Sequence, residues 1–284
     1  LSPAPSNRSA NSPTKETTFF NGDHALVMRK PFITTEDLTV EFWLRADHDG
    51  KYGAYGGVFT LVTDIDDGSE NDPEKVLASC KLDAGAYLSC RVNAGEPHNS
   101  PVPNPGSVFQ TLELEVVPAQ KELQHCTLTM SPRNIRVSCG QKFVESVPGH
   151  YFPTRERAIS RTPAYLVLGA DFIPTPAAAS SQAGKGFRGW MDDVRVWGAR
   201  RTKAQLRTML NEELSGSEDN LLAYFRMGEE TTEDLDVLDA TGGGRHLHHA
   251  PVGDGVERTP QDAITSDRFF PSRPESKARR LAIP

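Results

Sequence analysis

The chain contains 284 residues, carries a formal net charge of −7 at pH 7 and is 37% hydrophobic. This length suits one large β domain with polar extensions, since all-β sandwiches often reach roughly 200–250 residues as a single unit. The acidic balance argues against nucleic acid or an anionic membrane as the main partner. No stretch approaches the roughly 20 apolar residues that a membrane-spanning helix needs, so we predict no direct membrane span.

The two ends of the chain differ in composition from its middle. Residues 1–16 are rich in Ser, Pro and Asn, and residues 251–284 mix Gly, Pro, Asp and Arg without an apolar period. Such composition is typical of segments that cannot bury a core. We therefore predict a flexible arm over 1–16, one folded domain over 17–250 and an extended tail over 251–284. The triplet Asn7-Arg8-Ser9 makes Asn7 a candidate glycosylation site.

The first half of the domain alternates apolar and polar residues, which is the pattern of β-strands. Residues 17–28 are predicted to form a hairpin with Asn21-Gly22 at its turn, because this dipeptide is a strong hairpin signal. Residues 38–45 alternate so that one face belongs to the core and Trp43 lies on the other face. Further strands are predicted over residues 58–63, 75–92, 110–147 and 165–170.

The four cysteines form two symmetrical pairs. Cys80 and Cys90 lie on either side of a turn-like centre at 83–85, and Cys126 and Cys139 lie on either side of another at 131–134. Directly opposite positions in a hairpin are within disulfide reach. We predict the disulfides Cys80–Cys90 and Cys126–Cys139, with four unrelated buried thiols as the alternative. Two disulfides imply an oxidising compartment, so we expect a secreted or cell-surface protein.

The segment 187–227 changes its period twice. Residues 190–197 alternate with a period of two, which predicts a strand with one apolar face, containing Trp190, Val194 and Val196, and one mixed face. From Thr202 the apolar residues recur at helical spacing, which predicts a short helix over 202–214 with Thr202 as its N-cap. The Ser215-Gly216 pair is a plausible stop, and a second strand is predicted over 221–227.

These patterns carry a family resemblance. The stretches GWMDDVRVW (189–197), LAYFRM (222–227) and DATGGGRH (239–246), together with FNGDHALV (20–27) and LTVEFWLR (38–45), resemble laminin-G-like and pentraxin-like domains. Those domains belong to the concanavalin A-like jelly-roll superfamily. The resemblance implies an all-β fold: an antiparallel two-sheet jelly-roll sandwich with one short helix near 202–214. It does not by itself imply one function, because this superfamily contains lectins, glycosidases, adhesion modules and scaffolds.

The resemblance also implies a candidate calcium site. In relatives with a structural calcium ion, carbonyl groups near the opening turn and an acidic residue near the end of the domain share the ion, which points to Gly22, Asp23 and Asp239. Alternatively, Asp239 accepts hydrogen bonds from the amides of Thr241 and Gly242 as an Asx-turn. The acidic run 64–74 also contains oxygen ligands, but its spacing does not match an EF-hand and it is interpreted as a solvated loop.

Catalysis is not predicted. Glycosidases of this superfamily carry acidic residues at alternate positions of one strand, so that a carboxylate pair faces the substrate, and no such strand occurs here. Neither a Gly-x-Ser-x-Gly elbow nor a His-Glu-x-x-His motif is present.

The predicted function is a non-enzymatic extracellular binding, adhesion or scaffold module that recognises a protein partner, within a larger assembly. A calcium-dependent carbohydrate-binding lectin is the alternative, and a glycoside hydrolase is a weaker one. A glycan site needs exposed aromatic residues beside polar groups. The candidates for such a site are Trp43, Tyr52, Tyr55 and His98, each of which serves equally well as a packing or loop residue.

Overall fold

A computed structural model describes residues 17–47, 56–65, 75–83, 87–93, 109–115, 123–131, 134–146, 161–170, 186–210, 212–230 and 237–251. The first strands in chain order are β1 (Thr18–Asn21), β2 (His24–Met28), β3 (Phe32–Ile33), β4 (Leu38–Ala46), β5 (Gly56–Val62), β6 (Val76–Asp83), β7 (Tyr87–Asn93) and β8 (Phe109–Glu115). They are followed by β9 (Gln124–Met130), β10 (Ile135–Cys139), β11 (Lys142–Glu145), β12 (Pro163–Leu168), β13 (Arg188–Trp197), helix α1 (Lys203–Thr208), β14 (Leu221–Glu230), β15 (Val237–Asp239) and β16 (Leu247–Pro251).

The strands pair along one antiparallel path, in the order β11-β10-β9-β4-β13-β14-β15-β16-β2-β12-β5-β6-β7-β8. The ring of Phe42 on β4 lies 5.6 Å from the ring of Phe59 on β5, although six strands separate β4 from β5 along this path. The path therefore folds back on itself into two facing layers. We call β1, β4, β9, β10, β11 and β13 the first layer and β2, β5, β6, β7, β8 and β12 the second layer; β14, β15 and β16 connect them.

One hydrophobic core fills the space between the two layers. It contains Val40, Phe42 and Leu44 from β4 in the first layer and Val58, Phe59 and Leu61 from β5 in the second. Because side chains alternate along a strand, the intervening residues face outward. Trp43 thus lies on the outer face of the first layer, as its position in the sequence predicted.

Both predicted disulfides are present. Cys80 lies directly opposite Cys90 in the β6–β7 pair, and Cys126 lies directly opposite Cys139 in the β9–β10 pair. All four side chains are buried in the core between the layers. Each layer is therefore cross-linked within one of its own hairpins.

The expected hairpin over 17–28 is wrong. Gly22, with a φ of +91°, does form the turn, but β1 pairs with β13 in the first layer, while β2 pairs with β12 and β16. The turn therefore carries the chain from the first layer to the second. Phe20 on β1 and Leu26 on β2 both point into the core between the layers.

The expected alternation along β13 is also corrected. The register shifts between Asp192 and Arg195, where Asp193 has a φ of +48°. This bulge adds one residue, so Met191 faces the core together with Val194 and Val196. Trp190 instead lies on the outer face, with its ring 4.8 Å from Phe19 and its face 3.7 Å from the guanidinium carbon of Arg45.

Helix α1 begins as predicted and ends early. Thr202 is the N-cap: its hydroxyl accepts a hydrogen bond from the amide of Gln205, whose side chain accepts one from the amide of Thr202. The helix ends at Thr208 rather than near 214. The following carbonyl groups of Met209 and Glu212 accept hydrogen bonds from the side chain of Arg195, and the carbonyl of Met209 also accepts one from the amide of Glu212.

Several expectations lie outside the described residues: the arm 1–16 with its sequon at Asn7, and the tail beyond residue 251. The domain boundaries at 16/17 and 250/251 therefore stay predictions. Among the described residues, α1 is too short and too polar to cross a bilayer, and no other helix there meets that requirement either.

Candidate ligand-binding cleft

A cleft of about 620 Å³ lies on the outer face of the first layer, between α1 and the strands β9, β10 and β11. Its deep part contains Trp43, Thr127 and Thr129, which are buried. Its wall on the helix side contains Leu206 and Leu210. More accessible side chains contribute to the lining, among them His125, Arg136, Ser138, Gln141, Lys142, Phe143, Arg201, Lys203 and Arg207.

Strand register places the lining residues in rows. Glu41 on β4 is opposite Thr127 on β9, which is opposite Ser138 on β10, which is opposite Phe143 on β11. Thr127 and Ser138 hydroxyls are 2.6 Å apart and hydrogen-bonded. In the next row Trp43 lies opposite His125, and their rings are 5.3 Å apart. Alternation along four neighbouring strands therefore builds the polar floor of the cleft.

The lining is basic. The side chains of Arg136, Lys142, Arg201, Lys203 and Arg207 border the cleft. Lys142 forms an exposed ion pair with Glu115, whose carboxylate lies 3.3 Å from its ammonium nitrogen. Within the part of the chain that the structure describes, Arg136, Arg201, Lys203 and Arg207 form no ion pair with a carboxylate. Glu145, which is directly opposite Arg136 in register, binds Arg200 instead, at 3.4 Å.

An exposed aromatic ring lies among these cations. Phe143 is 53% exposed. The guanidinium carbon of Arg136 lies 4.5 Å from the centre of its ring, and the ammonium nitrogen of Lys203 lies 5.8 Å from it. These distances are within the range of cation–π attraction. Arg136, Phe143 and Lys203 bring β10, β11 and α1 together at the rim of the cleft.

A buried group of charged side chains supports the floor from beneath. Glu41 accepts hydrogen bonds from Trp197 at 2.8 Å and from Arg195 at 3.4 Å through one oxygen. Its other oxygen lies 3.1 Å from Nε2 of His125, at the edge of the cleft. Burial alone would raise the pKa of Glu41, but the hydrogen bond and charge of His125 and the charge of Arg195 outweigh it and lower this pKa.

Arg195 connects this buried group to the wall of the cleft. Its guanidinium donates to Asp193 at 3.3 Å and to the carbonyl oxygens of Met209 and Glu212 at 3.1 and 2.7 Å. Asp193 also accepts a hydrogen bond from the hydroxyl of Tyr224 at 2.9 Å. Burial, and then the charge of Asp193, raise the pKa of Tyr224 well above its ordinary value. Through these bonds the sheet holds the chain that follows α1.

The structure does not bring the candidate calcium ligands together. Gly22 and Asp23 precede β2, whereas Asp239 lies in β15, whose neighbour β16 places Leu247 opposite Met28 at the other end of β2. The separation is on the order of 15 Å, at about 3.3 Å per strand residue. Among the described residues no three His, Cys, Asp or Glu side chains are grouped as a metal would need. Calcium binding stays a prediction that nothing here tests.

Asp239 has the Asx-turn role that the sequence offered as its alternative. One carboxylate oxygen accepts hydrogen bonds from the amide and hydroxyl of Thr241, at 3.0 and 2.7 Å, and from the amide of Tyr224 at 3.3 Å. The other accepts from the amide of Arg245 at 3.3 Å. Gly242 donates to the backbone carbonyl of Asp239 at 3.4 Å. The carboxylate is thus surrounded by donors from the protein itself.

Of the four aromatic candidates, the described residues include Trp43 alone. It lies in the deep part of the cleft and is 8% exposed. Tyr52, Tyr55 and His98 lie outside the described residues, as does the acidic run after Ile65. Asp64, at the start of that run, forms an ion pair with Lys75 at 3.2 Å.

Sequence reasoning did not identify the basic cleft. Its cations come from β10, from β11 and from the segment 201–207. No local motif joins β10 and β11 to the segment 201–207, which lies more than 50 residues further along the chain, and folding alone brings them to one rim. Arg136, Lys203 and Arg207 were visible only as isolated polar positions, and Phe143 only as one apolar position, on predicted strands and a predicted helix.

No family model matches the sequence, and no curated protein matches it. Solved structures match in fold. A proposed carbohydrate binding protein from Bacteroides ovatus ATCC 8483 matches with a TM-score of 0.51 and 17% identity, over 85% of this chain and 62% of that chain. Domains LG4-5 of the mouse laminin alpha1 chain match with a TM-score of 0.42 and 15% identity, over 64% and 41%.

A heptameric SAP-like pentraxin from Limulus polyphemus matches with a TM-score of 0.43 and 13% identity, over 85% of this chain and 97% of that chain. At such identities the likeness concerns the fold alone. The two antiparallel layers confirm the all-β, two-sheet antiparallel sandwich that the sequence resemblance implied, and the Bacteroides structure shares this fold. The chain spans 62% of the length of the Bacteroides protein and 41% of the laminin fragment.

Proposed function

We propose that this chain is a non-enzymatic, extracellular binding module that holds an anionic ligand in the basic cleft. The observation that carries the proposal is the grouping of Arg136, Lys203 and Arg207 at one rim, without carboxylate partners among the described residues, in a chain of net charge −7. The two disulfides support an oxidising, extracellular setting.

The charge distribution supports a ligand of opposite sign. Like charges repel, so a cluster of cations without counter-charges has an unfavourable electrostatic energy, which a bound anion would offset. A concave surface lined by one sign of charge concentrates the opposite sign and accelerates encounter. Arg136 and Lys203 also flank the exposed ring of Phe143. This pattern suits a ligand that combines negative charge with an apolar face.

The state of the nearby carboxylates supports binding without catalysis. Acid–base catalysis needs a carboxyl group that can reach the ligand and exchange a proton. Glu41 is 2% exposed, both its oxygens accept hydrogen bonds, and its lowered pKa keeps it ionised. Asp193 is equally buried, between Arg195 and Tyr224. Both carboxylates serve to hold the cleft in shape.

Binding of two chemically different polyanions tests the proposal. We would immobilise the protein and measure affinity for dextran sulfate and for poly-L-glutamate at low and at physiological salt. The triple variant Arg136→Ala/Lys203→Ala/Arg207→Ala should lose roughly 10- to 100-fold in affinity, since each exposed ion pair contributes about 0.5–1 kcal/mol. Affinity for both probes should also fall with added NaCl.

A matched variant separates the cleft from net charge. Lys30→Ala/Lys81→Ala/Arg188→Ala removes the same charge from surface positions outside the cleft, and its affinity should stay within about 3-fold of the parent. Equal weakening by the two triple variants, or no binding of either polyanion, would overturn the proposal. Addition of EDTA should change nothing; a loss of binding with EDTA would support a calcium-dependent lectin instead.

A further inference from the structure

We infer that the ligand of the basic cleft is a linear polysaccharide that carries carboxylates, that is, a polymer of uronic acid. This inference rests on the proposed function and specifies its ligand. Three properties of the cleft support it: which groups its floor offers, which surface its rim exposes, and how many free cations it contains.

The floor offers side chains rather than backbone. It lies in the interior of the first layer, where the backbone groups of β4, β9 and β10 are paired with neighbouring strands. An acidic peptide that added a strand would need unpaired backbone groups. The outermost strand, β11, lies next to β8, and Lys142 on β11 forms an ion pair with Glu115 on β8. Ser138 and Gln141 instead offer a hydroxyl and a carboxamide, which both donate to and accept from sugar hydroxyls.

The rim exposes an apolar surface next to charge. Phe143 is 53% exposed and lies within 4.5 Å of the guanidinium carbon of Arg136. A sugar ring has one face of C–H groups, which packs on an aromatic ring, and hydroxyl groups at its edge. A uronate adds a carboxylate at that edge. Phe143 and Arg136 thus match neighbouring parts of a single uronate residue.

The number and type of the cations match a moderately charged polymer. Arg136, Arg201, Lys203 and Arg207 form no ion pair with a carboxylate among the described residues, and Lys142 is paired with Glu115. A guanidinium binds a carboxylate through two parallel hydrogen bonds. A uronate polymer carries one carboxylate per sugar unit, whereas a densely sulfated polymer would bring more charge than these four cations neutralise. The volume of about 620 Å³ is within the usual range for small-ligand sites, so it suits a few sugar units.

The helix side of the cleft is held in place before any ligand binds. Arg195 fixes the carbonyl groups of Met209 and Glu212, directly after the helix that carries Lys203 and Arg207. The buried partners of Arg195 are Glu41 and Asp193. A preformed site loses less conformational entropy on binding, which favours recognition of a regular, repeating ligand.

The test uses four probes of matched length: oligogalacturonate, its methyl ester, poly-L-glutamate and dextran sulfate. Calorimetry at physiological salt should show oligogalacturonate binding at least 10-fold more tightly than each of the other three. The methyl ester keeps the sugar and lacks the charge, and poly-L-glutamate keeps the charge and lacks the sugar. Phe143→Ala should weaken oligogalacturonate by about 3- to 10-fold and change poly-L-glutamate less than 2-fold.

A second exposed apolar residue is the control for Phe143. Ile33 is 55% exposed and outside the cleft, so Ile33→Ala should leave all affinities unchanged. If poly-L-glutamate binds as tightly as oligogalacturonate, or Phe143→Ala has no effect on the sugar, the uronate inference is overturned while the anionic-ligand function stands. If dextran sulfate binds most tightly of the four probes, the uronate inference is likewise overturned and the anionic-ligand function still stands. If no charged probe binds, both proposals fail together.

Discussion

Glu41 accepts hydrogen bonds from side chains on two neighbouring strands, β9 and β13, and it is the negative charge closest to the floor of the cleft. A buried ion pair need not stabilise a fold, but removal of one partner leaves the other charge without compensation. Glu41→Gln keeps the size of the side chain and removes one of the two carboxylates, Glu41 and Asp193, that balance Arg195. We expect it to lower the free energy of unfolding by roughly 3–5 kcal/mol in urea titrations.

Glu145→Gln is the matched control for this substitution. Glu145 also binds an arginine, Arg200 at 3.4 Å, but both side chains are substantially exposed. Exposed pairs contribute about 0–1 kcal/mol, so this variant should unfold at nearly the same urea concentration as the parent. Equal losses for the two variants would show that burial does not decide the contribution of Glu41.

The lowered pKa of Glu41 also predicts a dependence on pH. Its ordinary value is 4.5, and the folded protein lowers it. The native state therefore releases this proton more readily than the unfolded state, and the stabilisation is fully present above pH 4.5. It is lost as the pH falls through the lower, folded pKa. Urea titrations between pH 5 and pH 3 should show a steep loss of stability in the parent and a shallower one in Glu41→Gln; parallel curves would contradict the assignment.

At the scale of elements, most of the strand pattern followed from alternation alone. The period of two over 38–45 and the capping signal at Thr202 depend on residues within a few positions of each other, so they are visible in the sequence. The bulge in β13 was not, because positive φ is uncommon even for Asp, although Asp adopts it more often than most residues. Its side chain has partners in Arg195 and Tyr224, which only the fold brings near.

The segment after α1 depends on Gly216 for its contact with β15. Gly216 has a φ of +92°, and a Cβ atom there would lie 1.9 Å from the carbonyl oxygen of Ala240. Gly242 has a similar φ of +71°, but nothing lies within 4 Å of its position for a Cβ atom. Gly242→Ala should therefore cost about 1 kcal/mol for the left-handed backbone alone.

Gly216→Ala should cost more, roughly 2–4 kcal/mol, because a backbone clash is added to the same conformational cost. Urea midpoints of the two variants measure the difference directly. Since the segment between Met209 and Gly216 also contains the carbonyl groups that bind Arg195, Gly216→Ala should weaken polyanion binding, whereas Gly242→Ala should not. Equal midpoints for the two variants would mean that the contact with Ala240 is easily relieved.

At the scale of the whole molecule, the class of fold was predictable and the cleft was not. The stretches over 20–27, 38–45, 189–197, 222–227 and 239–246 are local and recur in order, so they identify the architecture. The rim of the cleft depends instead on how far β11 and α1 lie from each other after folding. Only in the folded chain do Phe143 and Lys203 come close enough to line the same rim. Local patterns specify elements, while a binding surface is a property of their assembly.

Because one core joins both layers, the domain should unfold as a single unit. All three tryptophans of the chain, Trp43, Trp190 and Trp197, lie on β4 and β13 in the first layer, so tryptophan fluorescence reports that layer. Far-UV circular dichroism reports both layers. The core cluster contains residues from every strand of the two layers except the short rim strand β11, whose Val144 packs against it. Urea transitions followed by the two methods should coincide.

Removal of the second layer's disulfide tests whether the two layers unfold together. Cys80→Ala/Cys90→Ala should lower stability by about 3 kcal/mol, the contribution of a cross-link that closes a loop of this size. The fluorescence midpoint should move as far as the circular dichroism midpoint, although no tryptophan is in the altered layer. Cys126→Ala/Cys139→Ala, in the first layer, should shift both signals in the same way. A fluorescence midpoint that stays at the parent value while circular dichroism shifts would show that the layers unfold separately, and the shared core would then not be what joins them.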